Sequence, residues 1–367
     1  MGNKLRVATV FSGIGAIEHA LQRMNIPTEI VFACDIDKYC KQSYFANYEI
    51  KKENWINDIN EVKGKKFKGK VDLFVGGSPC QSFSMVGKRK GLEDPRGLLI
   101  YKFVKLVNQI QPKIFIYENV KGLLNHGQSE TWKKLKATLD KTKYDIHVKV
   151  LNAKDYGIPQ NRERMFVIGF RKERKDFNFP EKKELKLAMQ DFLEDNPKSK
   201  YFLPEKGIAF VTREDMLKKS YTQINGDIAL CQTRNQQFNW HGDFIMEFPK
   251  RAVDKKYFLS DKVAKYVNSS GTKTFYSKPE TDLKVARPLL ATMAKMHRAG
   301  IDNYITKGGK IRKLTPRECL RLMGFDDRFK IVVSDTQAYK QAGNAIVVDV
   351  LINLLRAIDI KKYASKN

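Results

Sequence analysis

Three short stretches of the 367-residue sequence bring together residue types that could do chemistry. The first is Ser78-Pro79-Cys80-Gln81-Ser82-Phe83-Ser84, directly after the apolar run Val71 to Gly77. A cysteine at the carboxyl end of a central strand is placed for nucleophilic attack, and the flanking proline fixes the backbone beside it. The polar stretch that follows, through Gly97, is long enough to act as a lid. The second is Glu118-Asn119-Val120, closing the next apolar run. Neighbouring parallel strands would bring the thiol and a carboxyl proton donor to one rim. The third is Gln160-Asn161-Arg162-Glu163-Arg164, whose guanidinium groups could polarise a carbonyl oxygen and assist a thiolate. Each alone has a plainer reading: a buried inert thiol, a satisfied acid, surface charge.

Ahead of them lies Phe11-Ser12-Gly13-Ile14-Gly15-Ala16, after the first apolar run and at the start of a helical pattern. Glycines there let the backbone turn tightly and let a nucleotide or sulfonium cofactor approach the sheet edge, although the third glycine of the dinucleotide fingerprint is absent. Asp35 follows the second run about 20 residues after Gly15, where a carboxylate can take both ribose hydroxyls. Asp58, in Ile56-Asn57-Asp58-Ile59, precedes the run from Val71 and could accept from an adenine amino group.

The elements that must position these residues are β-rich runs at Leu5 to Phe11, Ile30 to Cys34, Val71 to Gly77, Lys113 to Tyr117, Ile146 to Leu151 and Met165 to Phe170. Most are continuous rather than alternating, as expected for strands covered on both faces. Helical patterns lie between them at Ile17 to Met24, Leu98 to Ile110 and Thr131 to Thr142. This rhythm predicts an α/β fold with a doubly wound, mostly parallel sheet. From about residue 171 the texture becomes polar, aromatic-dotted and poorly periodic, which predicts a second, smaller and irregular domain. Thr315, Pro316 and Glu318 then mark a helix start at N-cap, N1 and N3, with a stop at Gly324. A last helix is expected over Ala345 to Ile358, packing back on the first sheet. The expected division is residues 1–182 completed by 336–367, with 183–335 as the second domain.

Composition bounds the partners. Lys+Arg is 68 against 41 Asp+Glu, a formal net charge of +27. That favours a nucleic acid or an anionic surface, although Lys-rich coding bias would also raise it. No signal-peptide apolar region precedes the strand at Leu5, and no apolar run reaches the roughly 20 residues that would span a bilayer. Five scattered cysteines, with no CxxC pair and no histidine at zinc-ligand spacing, fit a reducing interior and no structural metal.

In this order the blocks resemble the DNA (cytosine-5) methyltransferase family. They are Phe-Ser-Gly-Ile-Gly, Pro-Cys-Gln, Glu-Asn-Val and Gln-Asn-Arg-Glu-Arg, then Arg312 to Phe325 and Gln341-Ala342-Gly343-Asn344-Ala345-Ile346. The resemblance implies a Rossmann-like methyltransferase fold, S-adenosylmethionine as cofactor with S-adenosylhomocysteine as product, and duplex DNA as substrate. It makes Cys80 the nucleophile at cytosine C6, Glu118 the group at N3, Arg164 the holder of O2 and Arg162 an electrostatic support of the thiolate. To donate a proton near neutrality Glu118 needs a raised pKa, which burial supplies. The target atom is unreachable inside a duplex, so the base must be flipped out.

The resemblance carries over Phe11, Gly13, Ile14 and Gly15 around the methionine, Asp35 on the ribose, Ile36 against the adenine, and Asp58 with Ile59 at the adenine edge. Pro79, Leu99, Asn344 and Ala345 complete that pocket. Thr9 stands where many members have an acid, and Ile36 where an aromatic often stacks. Residues 183–335 would be the target-recognition domain. DNA contacts are expected from Ser84, Lys88 and Arg96 on the lid stretch, and from Arg234, Gln236, Gln237, Thr292 and Arg298 in that domain. A cytoplasmic monomer, with any cognate restriction endonuclease acting separately, completes the expectation. An RNA cytosine methyltransferase, a non-catalytic nucleic-acid-binding relic and an NAD-dependent oxidoreductase are the competing readings; the last leaves the Pro-Cys-Gln block and the charge without a role.

Overall fold

The computed structural model describes residues 3–79, 99–125, 130–195 and 304–365, with shorter pieces between 197 and 289. The first strand, β1 (Leu5–Val10), is buried at every position but Arg6 because it has a parallel neighbour on each side. These neighbours are β2 (Thr28–Cys34) and β4 (Leu73–Gly76). Beyond β2 lies the two-residue β3 (Trp55–Ile56), and beyond β4 lie β5 (Ile114–Val120), β7 (Glu163–Phe170) and β6 (Asp145–Asn152). Among the described residues the seven strands run in the order β3-β2-β1-β4-β5-β7-β6, with β7 antiparallel to β5. The expected mostly parallel sheet is present. Strand β3 was too short to stand out in the sequence, so Asp58 follows a third strand as well as preceding β4.

Helices α1 (Ala16–Arg23), α2 (Lys38–Asn47), α3 (Leu99–Ile110), α4 (Gly122–Asn125) and α5 (Glu130–Asp140) lie between the strands. The face of α3 formed by Ile100, Phe103, Val104, Val107 and Ile110 is buried, the one-sided pattern of a helix on a sheet. Its Phe103 stacks on Phe74 of β4 with ring centroids 4.9 Å apart. The α2 segment escaped sequence reading because only Ser43 and Tyr44 of its ten residues are buried. Its start is fixed instead by Asp37, which accepts from the Tyr39 and Cys40 N–H groups at 2.8 and 3.3 Å.

Asp72, fully buried ahead of β4, ties the chain ends together. Its carboxylate accepts from Arg6 Nε and Nη2 at 3.1 and 3.0 Å and from Ser365 Oγ at 2.7 Å, and it pairs with Lys113 Nζ at 2.8 Å. Burial pushes the carboxyl up, but the bonds from Arg6, Lys113 and Ser365 outweigh it and hold it at about 2. A depressed pKa gives stability that is complete above the usual carboxylate range and is lost as pH falls toward 2. Asp72→Asn should therefore lower unfolding free energy at pH 7 by about 3 kcal/mol and flatten its acid dependence below pH 4. Denaturant titrations at pH 7 and pH 3 check both.

By internal contacts the chain divides into two units: residues 1–151, 163–181 and 350–367, and residues 152–162 and 182–349. Against the expected boundaries after 182 and 335, these fall after 181 and 349, and 152–162 groups with the second unit. That unit holds a parallel sheet in the order β10-β9-β8, from β8 (Thr222–Ile224), β9 (Gly242–Phe248) and β10 (Tyr304–Lys313). It also holds α6 (Glu205–Val211), α7 (Pro316–Arg321) and α8 (Asp335–Asn344). The expected capping box of α7 is present: Glu318 N–H donates to Thr315 Oγ1 at 3.2 Å and Thr315 N–H to Glu318 Oε2 at 2.7 Å. The last helix, α9 (Val348–Ile358), starts three residues later than expected. The stretch Asp335–Ile358 is long and apolar enough to cross a membrane by length and composition alone. Its helices are interrupted at residues 345–347, however, and 61% of its most apolar window is buried in the protein, so it behaves as core.

Candidate active site

The turn after β1 is built on three positive φ angles, at Phe11 (54°), Gly13 (54°) and Gly15 (79°). Gly15 also lies against the Tyr48 ring, whose hydroxyl donates to the Ile14 and Gly15 carbonyls at 3.1 and 2.8 Å. A Cβ on Gly15 would sit 2.2 Å from Tyr48 Cε2. Gly15→Ala combines that overlap with an unfavourable φ, and a stability loss of at least about 2 kcal/mol is expected in a thermal or denaturant melt. At the end of β2, Asp35 Oδ2 accepts from Gly13 N–H at 2.8 Å and Oδ1 from Asp37 N–H at 2.9 Å. This carboxylate shapes the turn directly, a role its spacing from Gly15 did not disclose. Ile36, next to it, is 81% exposed, an apolar side chain left open beside a carboxylate. Asp58 caps a short 3-10 turn by accepting from Asn60 N–H at 2.8 Å, and Ile59 behind it is buried. The open Ile36, the adjoining carboxylate and the glycine turn fit the adenosine and methionine parts of S-adenosylmethionine.

The ends of β4 and β5 meet in a buried polar cluster. Ser78 Oγ and Tyr117 Oη are 2.5 Å apart, and Asn119 Nδ2 donates to Tyr117 Oη at 2.7 Å and to Ser78 Oγ at 3.2 Å. Burial pushes the Tyr117 hydroxyl well above its ordinary pKa, so it stays a neutral donor. This cluster fixes the backbone two residues before Cys80; Ser78 opens the first motif with no role of its own, and no motif points to Tyr117. A Cβ on Gly77 would lie 2.9 Å from Glu118 Oε2, so a bare backbone here gives the carboxylate its place. Glu118 Oε1 pairs with Arg164 Nε at 3.1 Å, both side chains mostly buried, and the β5–β7 register sets Val120 opposite Arg164. The structure thus brings Glu118 and Arg164 together beside the segment that leads to Cys80.

Arg162 lies elsewhere in contact terms. It is buried in the second unit, where its Nη2 donates to the Gly343 and Ala345 carbonyls at 2.9 and 3.2 Å. It anchors the segment containing the exposed Asn344. Gln160, in the same motif, is fully buried; its Nε2 donates to the Leu322 carbonyl at 2.8 Å and its Oε1 accepts from Leu289 N–H at 3.2 Å. Both members of the block hold backbone carbonyls, contacts that the sequence did not disclose. Pro79 and Leu99 are half-buried. Cys80, Ser84, Lys88, Arg96, Arg234, Gln236, Gln237, Thr292 and Arg298 lie outside the described residues. Of the described thiols, Cys34 also ends a strand, but burial and then the nearby Asp35 push it up to about 12, which makes it inert.

Residues 5–359 match the profile of the C-5 cytosine-specific DNA methylases. The chain is 31% identical over 365 residues to the type II methyltransferase M.HhaI of Haemophilus parahaemolyticus, covering 98% of this chain and 97% of that protein. It is 29% identical to the orphan methyltransferase M.SPRI of Bacillus phage SPR, covering 99% of each. Among solved structures, a methyltransferase of Entamoeba histolytica superposes with a TM-score of 0.68 at 18% identity, over 97% of this chain and 98% of that one. The fold matches that of solved methyltransferase structures. The chain belongs to the C-5 cytosine-specific DNA methylase family.

Proposed function

We propose that this protein methylates C5 of a cytosine flipped out of duplex DNA, through a transient bond between Cys80 Sγ and C6. The observation that carries the proposal is the Glu118–Arg164 pair set against Gly77, three residues before Cys80. Cytosine C5 is too weak a nucleophile until a thiolate adds to C6. Cys80 supplies that thiolate; Glu118 holds or donates the N3 proton as the ring accepts electrons, and Arg164 turns to the O2. After methylation the C5 proton leaves to a base and the electron pair of the C5–H bond expels Cys80 Sγ. S-adenosylmethionine, when bound, supplies the electrophilic methyl group. Phe11, Gly13, Ile14, Gly15, Asp35, Ile36, Asp58 and Ile59 would hold it, with Pro79, Leu99, Asn344 and Ala345.

The same reading assigns residues 183–335 to target recognition and makes the enzyme a cytoplasmic monomer whose cognate endonuclease, where one exists, acts separately. The net charge of +27 supports a polyanionic substrate. Transfer of labelled methyl groups from S-adenosylmethionine to duplex DNA and, separately, to transfer RNA tests the choice of polymer. Incorporation into duplex DNA alone is expected; label in RNA alone would overturn the DNA assignment while keeping the chemistry.

A further inference from the structure

Under the cofactor turn lies a buried carboxylate to which the proposed reaction gives no part. Glu18, at the third position of α1, is 3% exposed. Its Oε1 accepts from Tyr44 Oη of α2 at 2.7 Å and from Thr9 Oγ1 of β1 at 3.3 Å, while its Oε2 has no hydrogen-bond partner. A buried carboxylate in this state costs stability, and a glutamine of the same shape would avoid the charge. Such a group persists where it serves something other than stability.

Its connections lead to the turn. Thr9 Oγ1 lies 2.6 Å from Ser12 Oγ; with the Thr9 proton on Glu18 the Ser12 proton goes to Thr9, and Ser12 Oγ accepts from Cys34 N–H at 2.9 Å. Asp35, the next residue, holds Gly13 N–H. One chain of contacts therefore runs from Glu18 through Thr9 and Ser12 to the end of β2 and back into the turn. Three hydroxyls share few acceptors, and a negative carboxylate at one end fixes which way the Thr9 and Tyr44 protons point.

We infer that Glu18 is a positioning residue for the cofactor turn, its carboxylate ordering Thr9 and Ser12 so that residues 11–15 keep the shape S-adenosylmethionine requires. The inference rests on the proposed use of that cofactor by this turn. The groups facing the carboxylate are Tyr44 from α2 and Thr9 from β1, with the backbone N–H of Glu18 itself. Burial raises Glu18 to about 7, against the hydrogen bonds from Tyr44 and Thr9. A raised carboxyl pKa means that folding stability is greatest while the group is protonated and falls as pH rises toward and through 7.

Glu18→Gln then has two effects of opposite sign. It should raise the melting temperature at pH 8 by a few degrees and remove the decline of stability between pH 5 and 8. It should also weaken binding of both S-adenosylmethionine and S-adenosylhomocysteine by about tenfold, measured calorimetrically. Thr9→Ser should keep the affinity and Thr9→Val should lose it. Unchanged affinity in Glu18→Gln would overturn the inference, as would a loss of affinity accompanied by a lower melting temperature, which is plain structural damage. A loss confined to S-adenosylmethionine would overturn positioning in favour of direct contact with the sulfonium. If the wild type binds neither compound, the cofactor assignment itself falls.

Discussion

Cys80→Ser is expected to reduce methyl transfer by at least about 10³-fold while leaving cofactor and duplex binding intact. On the proposed mechanism the reaction starts with attack on C6 by a group that must be both ionisable near neutral pH and a good leaving group afterwards. A hydroxyl is neither, so the serine variant stalls before the first bond forms, and losses of this size follow when a nucleophile is removed from a working site. Cys34, which ends β2, is pushed up to about 12 by burial and is no candidate for this role. Single-turnover transfer with saturating DNA, alongside equilibrium binding, separates lost chemistry from lost affinity. Retained turnover in the serine variant would remove Cys80 from the mechanism.

The second large effect is expected at Glu118. Its Oε2 packs over Gly77 and its Oε1 pairs with Arg164, so the carboxylate fixes the guanidinium. Glu118→Gln keeps the shape but removes the charge that pairs Arg164 and, on the proposed mechanism, the group that takes up a proton and passes it to N3. A fall in kcat of about 10²-fold or more is expected, with duplex affinity little changed. An unchanged kcat would show that the ring is activated from another direction. Because the pair is mostly buried, Arg164→Lys should not restore what Arg164→Ala loses: a point charge does not replace a planar guanidinium.

Much of this arrangement was legible in the sequence because it follows from strong local signals. The buried strands are continuous apolar runs, and α3 and α7 declare themselves by a one-sided face and by Thr315-Pro316-Arg317-Glu318. Asp35 sits just beyond the end of β2, and Glu118 and Arg164 lie near the ends of β5 and β7, where such folds collect chemistry. What was hidden depends on contacts between distant residues. Strand β3 is two residues long, and α2 is held by Asp37 rather than by an apolar face. Nothing local in Ser78, Tyr117, Tyr48 or Glu18 announces a partner 26 to 39 residues away. The contacts of the block around Arg162 were hidden in the same way: in the fold Gln160 and Arg162 donate to backbone carbonyls more than 160 residues away.

The central claim is that this chain marks cytosine in DNA and does so with Cys80. Bisulfite sequencing of DNA from a methylation-free host expressing the wild type, beside one expressing Cys80→Ser, tests both halves at once. The account predicts protected cytosines at one short sequence motif with the wild type and none with the variant. Protection in both strains would contradict the nucleophile, and protection in neither, from soluble protein that binds S-adenosylmethionine, would contradict DNA as the substrate.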